Sequence, residues 1–103
     1  MLVLHYRNSS LTYDESKSYD LNDIKYIAMR DDKKQSYVLC RYIPDNDNST
    51  YSQSGYIYDS KINESHKVVI IAVVSNMIKV EQIIESYRKA LEAFPEHQKK
   101  GTK

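Results

Sequence analysis

The chain has few of the residues that build several common functional sites. In 103 residues it has no Trp, one Phe, one Cys, two Gly and two Pro. Gly usually makes up about 7% of a protein, and the loops that cradle phosphate groups need several glycines at fixed spacing. The sequence therefore argues against the common nucleotide-binding motifs, and we expect no cofactor.

Long apolar runs and paired cysteines are also missing. The longest apolar run is seven residues, whereas a membrane-spanning helix needs roughly 20, and the first residues lack the charged and apolar regions of a signal peptide. Cys40 has no second cysteine to pair with, and it sits in a strand-like run, which predicts a small buried hydrophobe. We expect a cytoplasmic protein that does not contact membranes.

Positive and negative charges are almost balanced in this chain. Fifteen Lys and Arg residues face fourteen Asp and Glu residues, which leaves a net charge of +1. Such a chain lacks the strong positive field that attracts proteins to nucleic acids. A length of 103 residues allows one core, so we predict a single α+β domain over residues 1–95 and a polar, flexible tail over residues 96–103.

The stretch from Lys67 to Phe94 gives the clearest structural signal. Seven apolar, mostly β-branched residues from Val68 to Val74 predict a strand that is buried on both faces. After them, apolar residues recur at helical spacing and form one stripe: Val80, Ile83, Ile84, Tyr87, Leu91 and Phe94. Ser75 or Asn76 can cap this helix, and Pro95 would end it.

The remaining segments predict a mostly antiparallel sheet of about five strands with one long C-terminal amphipathic helix packed on one face. Besides the apolar run, the strand-like segments are residues 2–7, 25–30, 35–43 and 55–60. Short connections predict hairpins around residues 31–34 and 61–65, and short connections imply antiparallel pairing. We expect residues 8–20 to form a long surface connection, with Asp20 capping a single helical turn over residues 21–24.

One helix is too narrow to cover such a sheet. It would be about 10 Å wide, whereas five strands at about 4.8 Å spacing span roughly 24 Å. If Val68, Ile70, Ala72 and Val74 face the helix, then Val69, Ile71 and Val73 face the other side and need a separate cover. The candidates are the segment of residues 8–23, a second copy of the chain, or a different protein.

Ten tyrosines are the most unusual positive feature. Our candidate partner-binding residues are five tyrosines from the later strand-like segments: Tyr26, Tyr37, Tyr42, Tyr56 and Tyr58. Tyr offers a large contact area with a polar tip at low entropic cost, so a Tyr-rich sheet face suits protein recognition. The alternative is that they are ordinary half-buried sheet residues, whose number reflects an AT-rich genome.

No motif for catalysis or metal binding is visible. His5, His66 and His97 are far apart, and no His or Cys pair has the two-to-four-residue spacing of a typical metal site. The segment from Asp45 to Ser49 resembles the start of a calcium loop, but Thr50 stands where the loop needs Gly. We therefore predict neither a metal site nor catalytic residues.

These observations favour a non-enzymatic protein-binding module that binds a different protein or a second copy of itself. Small, Gly-poor intracellular domains often serve as inhibitors, immunity or antitoxin proteins, or assembly subunits, which is an analogy from size alone. The alternative is a single-stranded nucleic-acid-binding domain that uses the same tyrosines with nearby cations. A small enzyme is the third hypothesis, and a deep pocket lined by His5 or His66 with a carboxylate would favour it.

Overall fold

The computed structural model describes residues 2–13, 15–31 and 36–93 and contains seven strands followed by one helix. The elements are β1 (Leu2–Tyr6), β2 (Ser9–Tyr13), β3 (Glu15–Leu21), β4 (Ile24–Asp31), β5 (Ser36–Tyr42), β6 (Ser54–Asp59), β7 (Glu64–Val74) and α1 (Met77–Ala93). All strands belong to one antiparallel sheet in the order β2-β1-β6-β7-β5-β4-β3. The predicted α+β class is confirmed, with two more strands than predicted. Phe94, Pro95 and the predicted tail lie outside the described residues.

The two additional strands replace the predicted surface connection. Residues 9–13 pair with β1, and residues 15–21 pair with β4, so the segment supplies both edges of the sheet. The helical turn predicted after Asp20 is wrong. Leu21 pairs with Ile24, and both Asn22 and Asp23 have positive φ, which is the signature of a type I′ hairpin turn.

The sheet curls because its edge strands are neighbours in the chain. Seven flat strands would hold their edges roughly 29 Å apart, yet Tyr13 at the end of β2 and Glu15 at the start of β3 are separated by two peptide units, about 7 Å at most. The curl brings β2 within contact distance of β4. One face of the sheet is therefore concave and lined by its own strands.

Two hydrophobic clusters fill the two faces. The inner core lies on the concave face and consists of Leu4, Tyr13, Ile27, Met29, Val38, Cys40, Ile57 and Val68. The helix core lies on the convex face, between the sheet and α1, and consists of Leu21, Tyr26, Ala28, Leu39, Val80 and Ile84. Tyr13 is only 1% exposed, so the segment of residues 8–23 is itself part of the cover that the second face needed.

A β-bulge in β7 reverses the orientation of the side chains that precede it, compared with the predicted orientation. Leu39 pairs with Ala72 but Cys40 pairs with Ile70, which leaves Ile71 as an extra residue. The predicted arrangement has Val68 and Ile70 on the helix side and Ile71 on the other side. In the structure the reverse holds, because Val68 and Ile70 pack in the inner core and Ile71 packs against the helix core.

After the bulge, the side chains of β7 alternate between the two faces in the opposite sense to those before it. Val74 packs against the helix core, as predicted. Val73 pairs with Val38 of the inner core and lies on the concave side, but it remains largely exposed. The bulge thus lets one continuous apolar run serve both clusters.

Helix α1 is held at its start and along its length. The Asn76 carboxamide oxygen accepts the Lys79 backbone N–H at 3.0 Å, which confirms one of the two predicted caps. On the predicted stripe, Val80 and Ile84 are buried and Ile83, Tyr87 and Leu91 pack beside them. Within the described residues no helix combines the length and the apolar character that crossing a membrane requires.

A polar contact fixes the helix to the edge strand β3. The Tyr19 hydroxyl donates to the Glu81 carboxylate, and the Lys17 ammonium donates to the same oxygen at 3.3 Å. These two donors lower the pKa of Glu81, while burial and the bond to Glu81 raise the pKa of Tyr19. Because the cluster is exposed, it orients the helix more than it stabilises the fold.

Candidate functional site

The structure does not bring the five candidate tyrosines onto one surface. Tyr26 is buried in the helix core, with its ring 5.7 Å from that of Tyr87, and Tyr37 packs against the same core. Tyr42 packs on the opposite, concave face. Only Tyr56 and Tyr58 lie together on a helix-free surface, on the convex face of β6, because their neighbour Ile57 points into the inner core.

Strand alternation defines the surface around these two tyrosines. Helix α1 contacts β3, β5 and β7, so the convex side of β2, β1, β6 and the first half of β7 carries no helix. Cross-strand register places ten residues there, which we call the open face: Val3, His5, Ser10, Thr12, Ser54, Tyr56, Tyr58, Ser65, Lys67 and Val69. It is a continuous four-strand surface in which two tyrosines occupy the centre.

The open face is aromatic, polar and without acidic residues. The Tyr56 ring is 53% exposed and lies between His5 of β1 and Lys67 of β7 in the cross-strand register. His5 is held by a 2.9 Å hydrogen bond between its Nδ1 and the Ser10 hydroxyl. The Tyr58 hydroxyl donates to the Asn63 side-chain oxygen at 2.7 Å, which fixes the second ring.

A loop after β5 forms one border of the open face. Asp47 in this loop accepts the Tyr51 hydroxyl at 2.6 Å and the Ser49 backbone N–H at 2.9 Å. These two bonds, a further hydrogen bond from the Ser49 side chain and a smaller contribution from the Lys67 ammonium lower the pKa of Asp47 to about 2. The Arg41 guanidinium lies over the Tyr51 ring, 5.6 Å from the centre of the ring. The border of the open face is therefore a connected polar network.

A cleft of about 290 Å³ lies at one end of the concave face, and the sequence did not predict it. Three isoleucines form its apolar part, namely Ile43, Ile57 and Ile62. Four polar residues line the rest, namely Lys25, Tyr42, Asp59 and His66. They come from the ends of β4, β5, β6 and β7, which are neighbours in the sheet although their residues are far apart in the chain.

The polar residues of the cleft form a row across the sheet. The Lys25 ammonium lies 5.4 Å from the centre of the Tyr42 ring, and the His66 ring meets the same ring edge-on at 5.6 Å. The His66 Nε2 atom is 3.4 Å from a carboxylate oxygen of Glu64. Burial, with the nearby Cys40 and Asp59, raises the pKa of Tyr42, which keeps its phenol neutral.

This cleft contains His66 with a carboxylate, one of the arrangements that would favour an enzyme. None of its seven lining residues is Ser, Thr or Cys, and the Cys40 thiol is fully buried with its pKa raised to about 12 by burial. A thiol in that state is inert. Among the seven residues that line the cleft there is therefore no hydroxyl or thiol nucleophile of the Ser, Thr or Cys type.

Two of the three histidines, His5 and His66, lie on opposite faces of the sheet. His5 is on the convex face of β1, whereas His66 pairs with Ile57 and faces the concave side. In the ranges 2–13, 15–31 and 36–93, no group of three or more His, Cys, Asp or Glu side chains comes together as a metal site.

No family model, curated protein sequence or solved structure matches this chain.

Proposed function

We propose that the chain is a non-enzymatic protein-binding module that uses the open face to bind a different protein with an acidic surface. The observation behind the proposal is the exposed pair Tyr56 and Tyr58, on a sheet surface that the helix leaves uncovered. Tyr is enriched in protein interfaces because it supplies contact area and a hydrogen-bonding tip.

Charge complementarity supports the choice of an acidic partner. Among its charged residues the open face contains Lys67 and no Asp or Glu, and the nearby acidic group is Asp47 in the bordering loop. Carboxylates on the partner would meet the Lys67 ammonium without facing a like charge on the strands. A second copy of the chain is a poorer match, because the two copies of Lys67 would repel each other across the interface.

An affinity capture with matched variants tests this proposal. The tagged protein captures partners from an extract of the source organism, and mass spectrometry quantifies them for wild type, Tyr56→Ser, Lys67→Glu and the control Lys79→Glu. Lys79 is exposed on the helix, so the control has the same charge change away from the open face. Circular dichroism verifies that each variant is folded.

We expect one protein to be captured equally by wild type and Lys79→Glu, and at least about tenfold less by the two open-face variants, as for interface hot spots. Equal capture by all four proteins would overturn the proposal. So would a wild-type protein whose open face is occupied by a second copy of itself.

A single-stranded nucleic-acid binder is the second candidate because the open face also places aromatic rings beside a cation. It is weaker than the first, since the net charge is only +1. Fluorescence anisotropy with a labelled mixed-sequence oligonucleotide at low salt separates the two. We expect no binding, and strong binding that falls steeply with added salt would favour the nucleic acid.

A further inference from the structure

The two edge strands of the sheet, β2 and β3, differ in how well they are protected. An edge strand leaves the backbone N–H and C=O groups of one side unpaired, and proteins protect such edges with charged side chains, proline, bulges or a covering element. Strand β3 contains Lys17 and Asp20, and its Lys17 and Tyr19 side chains bind Glu81 of the helix. The β3 edge is therefore protected.

Strand β2 lacks charged side chains, proline and a bulge. Its five residues are Ser9–Tyr13, and they pair with β1 in an unbroken register. Within the described residues, β1 is the only strand that pairs with β2, and Ser9, Ser10 and Thr12 are exposed. An uncharged, regular and exposed edge is the kind to which another strand can add.

The register shows which backbone groups of β2 face outward. A two-residue loop joins β1 to β2, so Tyr6 and Ser9 form the hydrogen-bonded pair next to the turn. Bonded and non-bonded pairs alternate along an antiparallel ladder. The N–H and C=O groups of Ser10 and Thr12 therefore point away from β1, toward the place of an added strand.

The side chains along this edge indicate what such a strand should contain. Leu11 packs against the inner core but is only partly buried. Opposite an added antiparallel strand it would occupy a non-hydrogen-bonded position, where facing side chains come closest. An apolar residue there would cover the exposed part of Leu11, which is favourable at roughly 25 cal/mol per Å².

We infer that β2 binds an extended segment of the acidic partner by antiparallel strand addition, with an apolar residue opposite Leu11 and polar or acidic residues beside Ser10 and Thr12. The inference rests on the proposed function, because the side chains of Ser10 and Thr12 belong to the open face. The added strand would extend that interface by one strand.

The edge alone is too small to hold a second copy of the chain. A five-residue strand is about 17 Å long, and with a sheet thickness of about 10 Å two paired edges would bury roughly 340 Å² in total. Stable interfaces bury roughly 1,200 Å² or more. A segment of the partner avoids this limit, because its area adds to that of the open face.

A defined peptide tests the strand addition. The probe is the blocked heptapeptide Asp-Val-Thr-Ile-Thr-Val-Asp, with variants that have Leu, Val or Phe at the centre, and NMR records amide shifts and hydrogen exchange. We expect saturable shifts in β2 and at least tenfold slower exchange of the Ser10 and Thr12 amides. N-methylation of the two Thr residues of the peptide should abolish binding, whereas N-methylation of its two Val residues, whose N–H groups face away from β2, should not.

Two results would overturn the inference. The first is the absence of shifts in β2 with every peptide, or equal binding of the peptide that is N-methylated at Thr. The second is slow exchange of Ser10 and Thr12 in the protein alone that increases with protein concentration, because a second copy would then occupy the edge.

Variants separate this inference from the proposed function. Thr12→Pro removes an outward N–H, and Ser18→Pro makes the matched change on the outer edge of β3. We expect Thr12→Pro to weaken both peptide binding and capture of the acidic protein at least tenfold, and Ser18→Pro to behave as wild type. Circular dichroism verifies the fold, and the N-methylated peptides decide the matter if Thr12→Pro is unfolded.

The two proposals can fail separately. If Tyr56→Ser loses the acidic protein while Thr12→Pro captures it as wild type does, the open-face interface stands and the strand addition is overturned. If the peptides bind β2 but all open-face variants capture equally, the edge site stands and the proposed function is overturned.

Discussion

Hydrogen bonds lower the pKa of Asp47 at the border of the open face. Its carboxylate accepts the Tyr51 hydroxyl and the Ser49 backbone N–H. Both bonds favour the charged form, so the pKa falls from the ordinary 3.8 to about 2. The loop that frames the proposed interface is thereby ordered by an ionised aspartate.

We predict that Tyr51→Phe raises the pKa of Asp47 toward its ordinary value, as measured by NMR titration of the side-chain carboxyl carbon. Because the folded pKa is depressed, the contribution of Asp47 to stability is fully present above about pH 4 and is lost as the pH falls toward 2. A midpoint that stays near pH 2 in Tyr51→Phe would show that the hydroxyl is not the cause.

Burial makes the Cys40 thiol unreactive. It has no exposed surface, and burial raises the pKa of its thiol to about 12. Very little of the reactive thiolate form is then present near neutral pH. We predict that Ellman's reagent does not label the folded protein and reacts with one thiol per chain after unfolding in guanidinium. Rapid labelling without denaturant would contradict the buried position.

At the scale of elements, the β3–β4 hairpin depends on two residues with positive φ, Asn22 and Asp23. A side chain strains such a backbone, whereas Gly adopts it freely. We predict that Asp23→Gly stabilises the protein by about 0.5–1 kcal/mol in guanidinium denaturation.

The matched control for this hairpin prediction is Asn46→Gly. Asn46 lies in a loop and is not among the positive-φ residues, so Gly there only increases the freedom of the unfolded chain and should destabilise slightly. A loss of stability in both variants would contradict the type I′ turn.

Strands β1 and β6 approach each other closely at Gly55. A Cβ atom at this position would lie 2.5 Å from the backbone oxygen of His5. We predict that Gly55→Ala lowers the free energy of unfolding by about 1–3 kcal/mol, because the two strands must separate. Ser54→Ala is the control, since this neighbour already has a Cβ, and an equal effect in both variants would contradict the close approach.

Strongly patterned elements were predictable from the sequence, and weakly patterned ones were not. The run from Val68 to Val74 lies in the central strand of the sheet, and the apolar stripe of α1 docks the helix. The prediction that the run is buried on both faces is wrong, because only Val68 is fully buried and Val73 is largely exposed. The segments β2 and β3 have only two alternating apolar residues each, Leu11 with Tyr13 and Tyr19 with Leu21, and edge strands need no more because one side faces water.

The bulge at Ile71 could not be predicted from the sequence for a different reason. In a strand that is apolar at every position, the sequence contains no alternation from which the two faces could be assigned. The cleft was hidden as well, since Lys25, Tyr42, Asp59 and His66 meet only through the strand order. Of the predicted tyrosines, Tyr56 and Tyr58 alternate cleanly with the buried Ile57, and they are the pair that shares the open face.

At the scale of the whole molecule, the structure identifies which residues cover the second face of the sheet. The area shortfall left three candidate covers for one sheet face: residues 8–23, a second copy or a different protein. The curl of the sheet and the buried Tyr13 supply cover for the inner core from the chain itself, and Val73 stays exposed. The surface available for binding is therefore the polar, Tyr-containing open face and not an unfinished hydrophobic core.

Sedimentation equilibrium of the pure protein over a wide range of concentrations tests this self-contained fold with a free open face most directly. We predict a single species at the monomer mass of 12.1 kDa, with cooperative unfolding that does not depend on protein concentration. A stable dimer that Tyr56→Ser dissociates and Lys79→Ser leaves intact would contradict it, because the open face would then be occupied by a second copy.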